Sequence, residues 1–298
     1  MIEKKISYLN SHIHTRTDLF KKGFADGRKI TTNTNTATGV SFKTESTKSG
    51  SSYGTKLSIK GFNCNGMSLD KFEITAGNMV AETSFSDNSL VPNAVFSAKT
   101  SLKQGGPTFG CAEKCELGVK YTVNPDLVGN LSFDLDKSAS FNVVASRCSM
   151  VGGFEAKVAN VTAAKSVDYS FFTGYNAKNF NLVARFNKLN TCTLSAYHQY
   201  SGALALGTVA SVDISKIRAK GTDNAVTDLK FGAKYNIDSV SDCAAQLSKD
   251  AVLKLGYSQK LYPSVKATVS ASLDLKSNSG SFKDPMGSLG FQLDLGDL

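Results

Sequence analysis

The sequence predicts an all-β fold, a transmembrane β-barrel of roughly 18 or 19 strands led by one short amphipathic helix. Three observations carry this. Apolar residues alternate with polar ones at period two through most of the chain. Nowhere does the chain offer the ~18 consecutive apolar residues that a spanning helix needs. Pro125, Pro263 and Pro285 fall between the alternating runs, where they cost no ladder hydrogen bond.

With 298 residues, the chain could hold two soluble domains or one large sheet. Its 18 Phe and 10 Tyr are too many for a solvated coil, which excludes disorder. The first residues, Met1 to Ser7, lack an apolar signal core, so classical secretion is not expected. The six cysteines (Cys64, Cys111, Cys115, Cys148, Cys192, Cys243) form no CxxC pair and read as reduced thiols. Lys and Arg number 34 against 25 Asp and Glu, a formal net charge of +9.

Helical periodicity occurs once, at the start. Ile6, Leu9, Ile13 and Phe20 share one stripe of a helix, with Lys4, Lys5, Arg16 and Lys21 largely off it. Gly23 and Gly27 follow closely and favour a bendable exit. Residues 1–27 therefore read as an amphipathic helix with a glycine hinge, and residues 28–298 as the barrel. Along the barrel, Leu117, Val119, Tyr121 and Val123 alternate with Glu116, Gly118, Lys120 and Thr122. Phe180, Leu182, Ala184 and Phe186 oppose Asn181, Val183, Arg185 and Asn187. Leu229, Phe231, Ala233 and Tyr235 alternate with Lys230, Gly232 and Lys234. The run from Val265 to Lys276 keeps the same rhythm, and Asn124-Pro125-Asp126 and Tyr262-Pro263-Ser264 mark turns.

Two architectures bury such a pattern. A soluble sandwich turns the apolar face inward, whereas a membrane barrel turns it out to lipid and keeps a wet, polar interior. The apolar faces here use Ala, Val, Leu, Tyr and Phe without any tryptophan, and the opposite faces carry Ser, Thr, Asn, Gly and Lys. A membrane strand and its turn take about 14 to 15 residues, so about 270 residues supply roughly 18 or 19 strands. A soluble sandwich of that size would be unusual as one unit, and no linker divides the chain. The barrel is the favoured reading, and a soluble β-rich binding protein is the alternative.

Three stretches resemble the mitochondrial porins, or voltage-dependent anion channels. Arg16-Thr17-Asp18-Leu19-Phe20-Lys21-Lys22-Gly23-Phe24 looks like the end of that family's N-terminal helix and its glycine hinge. Lys234 to Tyr257 is similar to the family's C-terminal signature in spacing, with Gln246 where a basic residue is usual. Ser288-Leu289-Gly290-Phe291-Gln292-Leu293-Asp294-Leu295 resembles the family's last strand. A weaker likeness at Ala37 to Phe42 looks like its first strand. The resemblance implies nineteen strands, a count that belongs to the family and is not read from periodicity. It also implies a helix lying inside the pore. An odd count forces the first and last strands to pair in parallel, which would set Leu289–Leu295 against the strand around Val40 and Phe42.

The chemistry of such a barrel is the field on its inner wall. Alternation assigns Lys120, Arg185, Lys230, Lys234, Lys254, Lys266 and Lys276 inward, partly offset by Glu116, Asp134, Asp136, Asp274 and Asp294. Excess positive charge concentrates small anions within the roughly 8 Å reach of charge at cellular ionic strength, so selectivity should be mild and anionic. The family implies passage of nucleotides such as ATP and ADP, phosphate and organic acids through the mitochondrial outer membrane. A solvated face of a soluble sheet is the plainer account of these lysines. Nucleic acid is not expected, because the lysines are dispersed and not clustered with stacking aromatics.

Gating is assigned to Arg16, Asp18, Lys21, Lys22, Gly23 and Gly27. A charged helix tethered in a pore narrows it, and each charge crossing the field is worth about 2.3 kcal/mol per 100 mV. A helix that only plugs and stabilises one wall is the alternative. By resemblance, Lys22 also contacts nucleotide phosphates, and Ser288, Gly290, Leu293 and Leu295 form the signal read by the outer-membrane assembly machinery. Partners so implied are membrane lipid, that machinery and a homo-oligomer. Asp70 is the nearest match to the family's lipid-facing acid, but alternation breaks between Leu69 and Phe72, so that role is not carried over.

Other signals are set aside. His12 and His14 do not share a helix face, His198 has no ligand partner nearby, and Cys111 and Cys115 lack zinc-knuckle spacing. Gly50 to Lys56 is too short for a phosphate loop. No nucleophile elbow or carboxylate pair stands out, so neither enzyme activity nor a metal or cofactor is expected. The nearest rival inside the superfamily is a protein-import barrel, which would be expected to carry a longer N-terminal extension than about 27 residues.

Overall fold

The computed structural model describes residues 19–20, 23–25, 27–49, 51–64, 67–75, 78–85, 91–103, 112–134, 137–159, 166–220, 225–275 and 289–296. The strands are β1 (Arg28–Asn35), β2 (Ser41–Ser49), β3 (Ser52–Lys60), β4 (Phe62–Cys64), β5 (Met67–Thr75), β6 (Asn78–Phe85) and β7 (Ala94–Lys103). There follow β8 (Ala112–Asn124), β9 (Leu127–Asp134), β10 (Ala139–Arg147), β11 (Met150–Ala159), β12 (Ser166–Asn176), β13 (Phe180–Asn187), β14 (Thr191–Gln199) and β15 (Leu204–Asp213). A short helix, Ile214–Lys220, precedes β16 (Val226–Asn236), β17 (Ser241–Ser248), β18 (Val252–Tyr262), β19 (Val265–Asp274) and β20 (Leu289–Gly296). Because β3 and β4 both pair with β5, they are two pieces of one span, and the barrel has nineteen spans.

Successive spans are antiparallel hairpin neighbours, and the sheet closes on itself. Closure is parallel, with β1 against β20 from Arg28↔Phe291 to Asn33↔Gly296. A closed sheet has no unpaired edge, which is what hydrocarbon demands. The expected partner of the last strand is corrected here. The last strand pairs through Phe291–Gly296 with Arg28–Asn33, and the residues around Val40 lie in the β1–β2 turn. Thr36 closes that turn: its N–H donates to the Val40 carbonyl at 2.8 Å, and its Oγ1 accepts from Val40 N–H at 3.0 Å. Alternation hid β1 because its outward face carries Thr32 and Thr34 beside Ile30, a pattern too weakly apolar to stand out.

The register fixes which face each residue takes. Leu117, Val119, Tyr121 and Val123 of β8 are all exposed on the protein alone, at 38–55%, and their neighbours across the ladder continue the same apolar belt. In water such a contiguous belt would be an aggregation surface; against acyl chains it is the stable arrangement. Charged outward positions such as Arg28, Lys48 and Arg147 lie near strand ends. Tyr121, Tyr175 and Tyr235 face outward toward one rim and Tyr53 and Tyr169 toward the other, as girdles at the two interfaces.

Candidate functional site: the charged inner wall

The inner wall is crossed by the chain's own N-terminal strap. Gly207 of β15, Gly232 of β16, Gly256 of β18 and Gly290 of β20 occupy inward positions. A Cβ at Gly207 would lie 2.6 Å from Leu19, and one at Gly232 would lie 2.8 Å from Phe20. At Gly256 it would come within 1.9 Å of the Gly23 carbonyl oxygen, and at Gly290 within 1.7 Å of that of Ala25. Only a wall without side chains there admits backbone so closely. Ser270 anchors the strap: its hydroxyl donates to the Ala25 carbonyl at 2.6 Å and accepts from Ala25 N–H at 3.0 Å. Phe291 N–H then donates to the Gly27 carbonyl at 2.8 Å, just before β1 begins. Gly23 and Gly27 take φ of +90° and +75°, which side chains rarely adopt. Arg16, Asp18, Lys21 and Lys22 lie outside the described residues.

Six of the seven basic residues expected in the lumen do face it; Lys276 lies outside the described residues. Lys120 stands opposite Val95 and Asn130 and forms no ion pair with any described residue. Arg185 meets Glu155 at 3.6 Å and lies 5.7 Å over the ring of Phe172. Lys230 pairs with Asp228 at 2.7 Å, and Lys254 stands between Gln246 and Ser272. Lys234 and Lys266 share one carboxylate, Asp242, at 3.6 and 3.4 Å. Of the acids, Glu116, Asp134, Asp274 and Asp294 point inward, and Asp136 falls outside the described residues.

That sharing recurs, and alternation alone does not find it. Glu45 lies between Lys29 at 3.1 Å and Lys43 at 2.6 Å. Glu73 lies between Lys56 at 2.9 Å and Lys71 at 2.5 Å. Each cluster joins two lysines to one carboxylate and so keeps one net positive charge on the wall. The sequence signal was half visible, since Lys43 and Glu45, like Lys71 and Glu73, sit two apart on one strand face. The second lysine comes from the neighbouring strand and needs the register. Across the described strands, inward basic residues outnumber inward acids, so the wall carries an anion-attracting field.

Elsewhere the inner wall turns apolar: Val144, Val151 and Phe172 pack together and are nearly fully buried. Asp70 sits where the β5–β6 register shifts between Leu69 and Lys71, and accepts a hydrogen bond from Ser68 at 2.7 Å. The broken alternation at Asp70 is thus a β-bulge, which re-aims one residue.

The family model described as "Eukaryotic porin" matches residues 7–283, nearly the whole chain. The chain belongs to the eukaryotic porin family. Among the relatives of this porin is a "Non-selective voltage-gated ion channel VDAC2" of Xenopus laevis, 27% identical over 91% of this chain and 93% of its own length. A "Voltage-dependent anion-selective channel" of Drosophila melanogaster is also 27% identical, with the same coverage. A "Mitochondrial outer membrane protein porin" of Candida albicans is 28% identical over 70% of this chain and 64% of its own length. A solved mutant of the Rh. blastica porin shares only the barrel fold, with TM-score 0.50 and 11% identity over 82% of this chain and 90% of that one. In the last strand of this porin, Gly290 faces the strap while Leu293 and Leu295 face outward; Ser288 lies outside the described residues.

Proposed function

We propose that this eukaryotic porin is a voltage-gated, weakly anion-selective channel of the mitochondrial outer membrane. Nucleotides such as ATP and ADP, phosphate and organic acids pass through it by diffusion. One observation carries the reading: a closed barrel, apolar outside, whose inner wall holds lysines two to a carboxylate and so keeps excess positive charge. A wide wet pore of that kind stabilises an anion modestly at many places and traps it at none, which permits flux. Among the relatives, the Drosophila protein is named an anion-selective voltage-dependent channel, the Xenopus one a non-selective voltage-gated channel, and the Candida one a mitochondrial outer membrane porin. Transport needs no catalytic residue, and none is assigned.

Gating in this reading belongs to residues 1–27. Leu19, Phe20, Gly23 and Ala25 hold the strap along the glycine row, and the positive-φ glycines Gly23 and Gly27 are its pivots. Arg16, Asp18, Lys21 and Lys22 supply charge that moves in the field, and Lys22 meets the phosphates of passing nucleotides. The outward leucines and Gly290 of the last strand serve the assembly machinery. Efflux of ATP from vesicles carrying the refolded protein tests the substrate class. A charge-reversing Lys22→Glu variant should slow it and weaken anion preference; unchanged flux and preference would remove Lys22 from the mechanism.

A further inference from the structure

We propose that a hollow on the lipid-facing side of β8 to β12 binds one zwitterionic phospholipid whose headgroup carries a primary ammonium, the ethanolamine class. The proposal rests on the outer face meeting lipid and is independent of what the pore conducts. The hollow exists because neighbouring outward positions are small. Ala145 pairs with Gly152 across β10 and β11, and a Cβ on Gly152 would meet only the Phe172 carbonyl oxygen, at 3.7 Å. Leu127 and Thr173 border the space, which amounts to about 540 Å³. Its apolar floor opens directly to the hydrocarbon, so an acyl chain enters without desolvating any charge.

The polar end of the hollow carries one charge of each sign. Arg147 ends β10 on the outward face, and Asp126 lies in the β8–β9 turn at the same rim; both border the hollow. Neither pairs with the other or with any described residue. The turn holds Asp126 beside the end of β10: its N–H donates to Asn124 Oδ1 at 3.0 Å, and its carbonyl accepts from Ser146 N–H at 2.7 Å. A guanidinium and a carboxylate that both border one hollow at the barrel rim, without pairing with each other, complement a phosphate joined through two carbons to an ammonium. The planar fork of Arg147 takes two phosphate oxygens, and the ammonium gives N–H donors to Asp126. A choline headgroup has no N–H to donate, and an anionic headgroup without an ammonium is repelled by Asp126.

The chain has no tryptophan, so a single Tyr175→Trp substitution gives a unique fluorophore. Tyr175 faces outward beside Met150, a residue that borders the hollow. The full-length variant is refolded into phosphatidylcholine vesicles containing phosphatidylethanolamine with brominated acyl chains, which quench on contact. Quenching by the ethanolamine lipid should exceed that by equally brominated phosphatidylcholine or phosphatidylglycerol. Arg147→Gln should weaken that preference by about tenfold in apparent affinity, the size of one charge-assisted contact, and Gly152→Leu, which fills the hollow, should weaken it too. Asp126→Asn should abolish the discrimination against phosphatidylglycerol. Gly152 has open space beyond it, so its variant should fold, and unchanged conductance in planar bilayers verifies each barrel. Equal quenching by all three lipids, or a preference that survives these substitutions, would overturn the proposal. So would protection of the Trp by a second barrel, seen as quenching that falls with protein density and cross-linked dimers that vanish in Gly152→Leu. Loss of conductance with lipid preference retained would instead count against the channel reading alone.

Discussion

Glu73 lies between Lys56 and Lys71, and its removal should change the pore in a direction that intuition about salt bridges does not give. Partly exposed pairs of this kind contribute about 0–1 kcal/mol each, so Glu73→Gln should leave the barrel's unfolding midpoint nearly unmoved. It does free two lysines, which raises the net charge of the wall by one. The reversal potential in a salt gradient should therefore shift toward stronger chloride preference. Lys120→Glu, at a position without an ion pair to any described residue, should move it the opposite way and by more, since it changes the charge by two. At this scale the sequence was legible wherever a single strand decided the matter. The inward facing of Lys120, Arg185, Lys230, Lys234, Lys254 and Lys266 follows from parity within one run. The three clusters centred on Glu45, Glu73 and Asp242 were not legible, because each takes a lysine from another strand and cross-strand register is set by turns and bulges, not by composition.

Among the elements, the strap and its glycine row are the part most sensitive to single atoms. A side chain at Gly256 would collide with the Gly23 carbonyl, while one at Gly129, on the outward face, would meet nothing within 4 Å. Gly256→Val should thus dislodge the strap, leave the β-sheet circular dichroism intact and alter the voltage at which the channel closes. Gly129→Ala should match the parent protein in both measurements. Gly23 and Gly27 stood out in the sequence as permissive backbone positions, and both take positive φ, yet Gly207, Gly232, Gly256 and Gly290 looked like ordinary strand glycines. They lie on four strands spread over more than eighty residues, and only the cross-strand register lines them up. The first strand was missed for a related reason. Thr32 and Thr34 are good strand formers but weak markers of a lipid face, and what secures β1 is backbone pairing on both sides, to β2 and to β20. The bulge at Asp70 was visible only as a break in rhythm.

For the whole molecule, the nineteen spans are one circular ladder in which apolar and polar faces exchange the usual roles of core and surface. That inversion was legible because period-two alternation runs through most of the chain without the apolar bulk of a sandwich core. Closure adds what alternation lacks, a sealed interior where dispersed lysines act as one field. The most direct test is a planar bilayer holding the refolded protein under a salt gradient and stepped voltage. The account predicts large conductance steps, a reversal potential favouring chloride, and closure at both polarities. A pore that prefers cations would contradict it and favour a protein-import barrel. Failure to insert where a control porin inserts would contradict it too, by removing the lipid-facing wall on which the account stands.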